Sequence, residues 1–158
     1  LRVVGFEANG GFLVGSMLEK DGRSLQALPT RDAVLPIVAL LAMAREQGVP
    51  LAQLSAGLPP RYTASDRIQN FATAKSQQLL QELSGSDAAL RAFLAPLGLE
   101  PTGIDQTDGL RITLSNAEIL HLRPSGNAPE LRCYAEAENQ ARASELANAG
   151  LQRIESMA

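Results

Sequence analysis

Residues 110–123 have the sequence LRITLSNAEILHLR, and this stretch decides the fold of the second half of the chain. Apolar Leu110, Ile112 and Leu114 alternate with polar residues, which is typical of a strand with one buried face. The turn-forming residues 115–117 then lead into a second strand-like stretch, residues 118–123. The stretch therefore predicts a β-hairpin and, with it, an antiparallel sheet.

A further strand is predicted at residues 131–137. Leu131, Cys133 and Ala135 fall on one face of it, whereas Arg132 and Tyr134 fall on the other, so Arg132 is expected to point away from the core. A strand at 61–71, helices at 73–83 and 86–97, and a terminal helix complete a unit of the α+β class. The terminal helix begins after Asn139, and its apolar positions recur at helical spacing: Ala143, Leu146, Gly150, Ile154 and Met157.

The first part of the chain predicts a smaller unit. Residues 2–18 form a strand, a glycine-rich loop and a strand, and residues 20–22 form a turn. A helix follows Pro29, capped by Thr30 or Asp32, and ends near Gln47; a short helical stretch covers residues 51–56. The double proline at 59–60 favours a stiff, extended connection. We therefore expect two domains, 1–58 and 59–158.

Composition excludes several classes of protein. The formal net charge is −3, the acidic residues are scattered, and aromatic residues make up only 4%, so the chain is not expected to bind nucleic acid. Cys133 is the only cysteine and His121 the only histidine. One chain can therefore form neither an internal disulfide nor the usual zinc sites, and a reducing compartment is favoured.

Hydrophobic patterning predicts no membrane partner. The longest apolar run, residues 33–44, is interrupted by Pro36 and is shorter than the roughly 20 residues that a bilayer span needs. The beginning of the chain shows no signal-peptide pattern, so we expect a cytoplasmic protein. It also lacks a starting methionine and enters a strand at once, which suggests a piece of a longer protein.

The strongest candidate site is the polar loop within residues 122–132, LRPSGNAPELR, which lies between two strands. Its arginines, Arg123 and Arg132, both belong to the face that is turned away from the core. Guanidinium groups, a serine hydroxyl, an asparagine amide and glycine-exposed backbone N–H groups are all donors to phosphate. A solvated hairpin turn explains the same residues, and spacing alone favours that second interpretation.

This loop resembles the phosphate-binding loop of the α-D-phosphohexomutase family, which is usually Arg-x-Ser-Gly/Asn-Thr-Glu-Pro followed by an Arg-x-Tyr-x-Glu strand. The matching positions are Arg123, Ser125, Gly126, Pro129, Arg132, Tyr134 and Glu136. Two positions depart from the pattern, since Asn127 replaces the usual threonine and Ala128 the usual glutamate. The resemblance implies that Arg123, Ser125, Gly126, Asn127 and Arg132 bind a substrate phosphate.

Residues 5–11 resemble the sugar-recognition loop of the same family, usually Gly-Glu-x-Ser-Gly-His. Glu7 matches, Asn9 stands in place of serine, and Gly11 in place of histidine. By this resemblance Glu7 and Asn9 bind hydroxyls of the hexose. Taken alone, a glycine-rich connection with an exposed glutamate is the more frequent explanation of such a segment.

The resemblance covers nearly the whole chain and implies its place in a larger enzyme. Residues 1–58 would be the later part of the α/β third domain, and 59–158 the fourth domain, a small antiparallel TBP-like sheet with helices. The intact enzyme would interconvert hexose 6-phosphate and hexose 1-phosphate, of mannose or glucose, through a bisphosphorylated sugar. The catalytic serine and the magnesium loop of the family belong to its first two domains, so this chain would bind hexose phosphate without catalysing the reaction and would carry no metal.

Other residues with chemical potential are expected to be structural. Asp105, Asp108 and Gly109 could suggest a metal loop, but this spacing is far more often turn chemistry. His121 has no serine or cysteine at catalytic spacing, and Cys133 falls on the core face. Two rival functions stay open from sequence: a free-standing sugar-phosphate or phosphate-binding module, and a structural or interaction domain in which the loop is incidental.

Overall fold

A computed structural model describes residues 2–7 and 10–157, and the chain divides into two compact units. Unit 1 is Leu1–Pro59 and unit 2 is Pro60–Ala158. The predicted α+β class is confirmed, with helices beside antiparallel sheets. No single helix in the described part of the chain is long and apolar enough to cross a bilayer; helix 34–47 passes that test only together with the next helical turn, to which it is bent by 82°.

Unit 1 contains five short strands, one long helix and a 3₁₀ helix. The strands are β1 (Val4–Phe6), β2 (Phe12–Val14), β3 (Leu18–Lys20), β4 (Arg23–Leu25) and β5 (Leu28–Asp32), followed by α1 (Val34–Gln47) and the 3₁₀ helix Leu51–Gly57. β1, β2 and β5 pair in that order, antiparallel, while β3 and β4 form a separate hairpin. Asp32 begins α1, since its Oδ1 accepts from the backbone N–H groups of Val34 and Leu35 at 2.8 and 3.1 Å.

Unit 2 is a five-stranded antiparallel sheet covered on one face by helices. Its elements are β6 (Tyr62–Gln69), α2 (Thr73–Gly85), α3 (Asp87–Leu94), β7 (Pro101–Asp105), β8 (Leu110–Leu114), β9 (Ile119–Pro124), β10 (Glu130–Ala137) and α4 (Gln140–Met157). The spatial order is β6-β10-β9-β8-β7, so the predicted β8–β9 hairpin is confirmed and the last strand lies between the first strand and that hairpin.

Some elements differ from the sequence-based predictions. The helix expected at 86–97 ends at Leu94 and continues as a 3₁₀ turn, Ala95–Leu97, because Pro96 cannot donate to an α-helical hydrogen bond. β5 and β7 were not predicted, since Pro29, Pro101 and Gly103 are all disfavoured in strands.

The core of unit 2 lies between the sheet and its helices. Alternate residues of β8, β9 and β10 are fully buried, and so are Phe93 and Leu94 of α3 and Leu146 of α4. Gly150 lets α4 lie directly on the sheet, because a Cβ there would meet Leu120 Cδ1 at 3.0 Å. The helices of unit 2 pack on this face, and the opposite face of β6, β10 and β9 carries polar side chains.

Candidate functional site

Three arginines from three adjacent strands line up on the open face of unit 2. Arg132 of β10 lies directly opposite Arg67 of β6 on one side and Arg123 of β9 on the other. Directly paired residues of antiparallel strands have Cβ atoms about 5 Å apart, so the three side chains leave the sheet as close neighbours. We call Arg67, Arg132 and Arg123 the arginine row. Their side chains are 50%, 37% and 42% exposed, which leaves them accessible to a ligand.

Two carboxylates face the arginine row. Glu130 lies between two of its members, with Oε1 3.5 Å from Arg67 Nε and Oε2 3.7 Å from Arg132 Nη2. Arg123 Nε donates to Asp108 Oδ1 at 2.9 Å. Glu130 and Asp108 thus balance part of the positive charge of the row, and the half-exposed guanidinium groups stay accessible to a further anion.

The loop that joins β9 to β10 is closed by its own backbone. Ser125 N–H donates to the Glu130 carbonyl at 2.8 Å, and Phe71 N–H donates to the Pro129 carbonyl at 2.8 Å, which ties the loop to the end of β6. Asn127 N–H donates to Ser125 Oγ at 3.4 Å. Ser125 is only 5% exposed, so its hydroxyl supports the loop from inside, while Gly126 and Asn127 lie at the surface.

The predicted phosphate ligands therefore gather at one end of the β9–β10 hairpin. Arg123 and Arg132 flank the loop, and Gly126 and Asn127 form its exposed tip. A Cβ built on Gly126 would meet nothing within 4 Å, and packing does not demand glycine there. Arginine forks beside exposed backbone and amide donors form a suitable environment for a phosphate group. Binding itself stays a prediction.

The remainder of the open face carries paired polar groups. The rings of His121 and Tyr134 lie 5.6 Å apart, and His121 Nε2 contacts the Asp108 carbonyl. Glu136 lies 3.8 Å from both Arg61 and Arg111. This side of the sheet is thus held by rings and ion pairs, and His121 lies beside the arginine row.

The aspartates of the β7–β8 turn, Asp105 and Asp108, form contacts that stabilise the turn and its neighbouring strand. Asp105 Oδ1 accepts from the backbone N–H of Thr107 at 2.7 Å, and this hydrogen bond lowers the pKa of the carboxyl group below its ordinary value. Asp108 is engaged by Arg123. In the described part of the chain, no three His, Cys, Asp or Glu side chains gather to hold a metal ion.

Cys133 lies in the core beneath the arginine row. It is fully buried, and burial raises the pKa of its thiol to about 12. A buried thiol with a pKa raised in this way is a poor nucleophile near neutral pH, which agrees with a structural role for Cys133.

The predicted sugar ligand Glu7 lies in unit 1, where it forms an ion pair with Arg31. Arg31 Nη2 donates to Glu7 Oε1 at 2.8 Å, and Arg31 Nε lies 2.8 Å from Oε2. The backbone N–H of Glu7 donates to the Gly11 carbonyl at 2.8 Å, which closes the loop. Arg31 thus fixes the carboxylate that was predicted to accept sugar hydroxyls. Asn9, the other predicted sugar ligand, lies outside the described residues.

Sequence reasoning missed Arg67 and Arg31. The alternation in β6 places Arg67 and Ser65 on one face, but nothing in the sequence indicates that β6 pairs with β10. Arg31 is likewise separated by 24 positions from the glutamate that it contacts.

Comparisons with known proteins identify the family of this chain. The sequence profile described as "Phosphoglucomutase/phosphomannomutase, C-terminal domain" matches residues 68–151. A phosphomannomutase of Sinorhizobium fredii is 47% identical over 95% of this chain, and one of Salmonella muenchen is 46% identical over 98%. The chain spans only 31% and 32% of these relatives.

Among solved structures, a phosphoglucomutase/phosphomannomutase family protein from Burkholderia thailandensis superposes with a TM-score of 0.63. The match covers 97% of this chain and 28% of that protein, at 18% identity. At this level of identity the likeness establishes the fold.

Proposed function

The chain belongs to the phosphoglucomutase/phosphomannomutase family, and we propose that it is the C-terminal, substrate-holding part of an enzyme that interconverts hexose 6-phosphate and hexose 1-phosphate. Unit 1 would be the later part of the third domain of that enzyme, and unit 2 its fourth domain. The names of the relatives favour mannose as the sugar, with glucose as the alternative.

The observation that carries the proposal is the arginine row beside the exposed loop tip. A phosphate monoester near neutral pH carries a charge of about −1.5 to −2. Arg123 and Arg132 supply a matching positive charge, and Gly126 and Asn127 add neutral donors. Such an arrangement holds a phosphate by charge and by directed hydrogen bonds together.

The role of this site in the reaction is to position the substrate. The proposed reaction passes through a bisphosphorylated sugar, which must be held in two orientations in turn. In each orientation Arg123 and Arg132 bind the phosphate that does not react. Glu7 and Asn9 bind the hydroxyls of the sugar. Fixing the far end of the sugar orients its near end for transfer, which lowers the entropic part of the barrier.

The chemical step is proposed to occur elsewhere in the protein. Cys133 is buried and protonated, and the described residues offer no metal cluster. Family resemblance assigns the phosphorylated serine and the magnesium ion to the remainder of the polypeptide. We therefore expect the isolated 158-residue chain to be inactive. A cytoplasmic location also belongs to this proposal.

The exposed apolar surface of unit 1 indicates that another part of the same polypeptide packs against it. Among its described residues only Gly11, Val14 and Ala44 are buried. α1 leaves a row of large apolar side chains exposed: Val34, Ile37, Val38, Leu40, Leu41 and Met43. A contiguous apolar surface of this kind is normally covered by another element. This favours a part of a larger enzyme over a free-standing binding module.

The test is carried out on the complete enzyme with Arg132→Ala and a matched control, Arg91→Gln. Arg91 is also half-exposed and paired with carboxylates, Asp87 and Glu100, but lies on α3 away from the open face. We expect Arg132→Ala to raise the KM for mannose 1-phosphate about tenfold or more, because a charge-assisted hydrogen bond is lost. Arg91→Gln should leave the KM unchanged.

Two results would overturn the proposal. A complete enzyme without activity on either mannose or glucose phosphates would exclude the mutase function. An isolated 158-residue chain that binds hexose phosphate as tightly as the complete protein would instead support the free-standing module.

A further inference from the structure

Arg67 occupies a position that the phosphate-loop pattern does not include. It lies on β6, more than fifty residues before the loop, yet it is directly opposite Arg132. An open depression of about 450 Å³ lies at this point and is lined by Ser65, Asp66, Arg67, Arg132 and Tyr134. Because Arg132 both lines the depression and flanks the loop, the depression lies next to the loop site, on the side of the edge strand β6.

The pairing of Arg67 with Arg132 needs an anion. Like charges directly opposite each other on neighbouring strands destabilise a sheet. In this structure the intervening anion is Glu130, the diagonal neighbour on β10, at 3.5 Å from Arg67 and 3.7 Å from Arg132. Both distances exceed the 2.9 Å of the Arg123–Asp108 pair. Glu130 therefore neutralises the two arginines without using their directed hydrogen bonds.

We propose that Arg67 is a third arginine of the phosphate site, and that Glu130 is an internal carboxylate which Arg67 and Arg132 exchange for the substrate phosphate. The inference rests on the proposed function, since it assigns two further residues to the same site. Arg67 would bind the substrate phosphate, and Glu130 would compete with that phosphate for the two arginines.

The exchange follows from the chemistry of the two anions. A carboxylate carries one negative charge, whereas a phosphate monoester carries about −1.5 to −2 and three terminal oxygens. Each guanidinium offers five N–H donors, so a phosphate between Arg67 and Arg132 can accept from both forks. Glu130, whose side chain is only 13% exposed, then remains close to the bound phosphate. Its negative charge weakens binding, and its removal should strengthen binding.

The experiment uses the complete enzyme with Arg67→Gln, Glu130→Gln and the control Arg91→Gln. Calorimetric titration with inorganic phosphate measures the anion site, and the KM for mannose 1-phosphate measures the site in turnover. We expect Arg67→Gln to weaken phosphate binding and raise the KM about tenfold. Glu130→Gln should tighten phosphate binding several-fold, and the control should change neither.

The opposite signs separate a binding role from a structural one. If Arg67 and Glu130 only supported the fold, both substitutions would weaken binding together, and that result would overturn the inference. Should Arg67→Gln behave like the control while Arg132→Ala raises the KM, the inference fails and the proposed function stands. If Arg132→Ala is also without effect, the proposed function fails with it.

Discussion

Both carboxylate oxygens of Glu118 accept hydrogen bonds from the guanidinium of Arg142, at 2.8 Å from Nε and 2.9 Å from Nη2. Glu118 ends the β8–β9 turn, and Arg142 lies in the first turn of α4. The Glu118 side chain is only 8% exposed. This bidentate pair fastens the terminal helix to the hairpin, and it lies wholly within unit 2.

Unit 2 should fold alone, whereas unit 1 should not. Residues 60–158 contain a complete core between sheet and helices, but unit 1 buries almost none of its described apolar side chains. We expect residues 60–158 to unfold cooperatively in urea and residues 1–59 to bind a hydrophobic dye without a cooperative transition. A cooperative unfolding transition in residues 1–59 would show that unit 1 has a sufficient core of its own, against this prediction.

Glu118→Gln should destabilise residues 60–158 by about 2–3 kcal/mol, because Arg142 loses its buried partner charge. Urea unfolding measures the change. The matched control is Glu145→Gln, since Glu145 contacts the same guanidinium at 3.0 Å but is 69% exposed. That control should change the free energy of unfolding by less than about 0.5 kcal/mol. If both substitutions lowered the free energy of unfolding equally, the burial of Glu118 would not make its pair with Arg142 stronger than the Glu145–Arg142 pair.

The Glu118–Arg142 pair should also make stability depend on pH. Hydrogen bonds from Arg142 hold the pKa of the Glu118 carboxyl below its ordinary value of 4.5. A depressed pKa contributes stability above the unfolded-state pKa and loses it as pH falls through the folded-state pKa. The stability gap between wild type and Glu118→Gln should therefore be full near pH 7 and shrink below about pH 4.5. If the difference in unfolding free energy between wild type and Glu118→Gln stayed constant down to about pH 3, the Glu118 carboxylate would not be its cause.

Gly109→Ala should be strongly destabilising. Gly109 has φ +88°, and an added Cβ would lie 2.3 Å from the Leu122 carbonyl oxygen and 3.1 Å from Arg123 Cα. β8 and β9 would have to separate, so we expect a loss of about 3 kcal/mol and weaker phosphate binding by the displaced Arg123. Gly103→Ala is the control, because its Cβ would meet nothing within 4 Å. Thermal unfolding and phosphate titration measure both effects.

Arg31→Gln should impair recognition of the sugar and leave recognition of phosphate intact. Without Arg31 the Glu7 carboxylate loses the pair that fixes its orientation. In the complete enzyme we expect the KM for mannose 1-phosphate to rise about threefold to tenfold, with unchanged affinity for inorganic phosphate. Arg23→Gln, on exposed β4, serves as the control. A parallel loss of phosphate affinity would indicate general unfolding of the loop.

The features that depend on local patterning could be predicted from the sequence. Alternation in residues 110–123 and 131–137 identified the faces of β8, β9 and β10, and Asn139 caps α4 as expected, accepting from Arg142 N–H at 2.8 Å. The positions of Arg67 and Arg31 depend instead on which strands become neighbours. That choice is made by packing of the whole sheet, which no local pattern in β6 or β5 records.

β6 is also an edge strand of its sheet, with one row of backbone groups unpaired by β10. Charged side chains on such an edge discourage other chains from adding to it as further strands. Arg67 and Asp66 both lie there and are exposed. Replacing Arg67 with an apolar residue would therefore be expected to promote self-association as well, and variants for kinetic work should keep this edge polar.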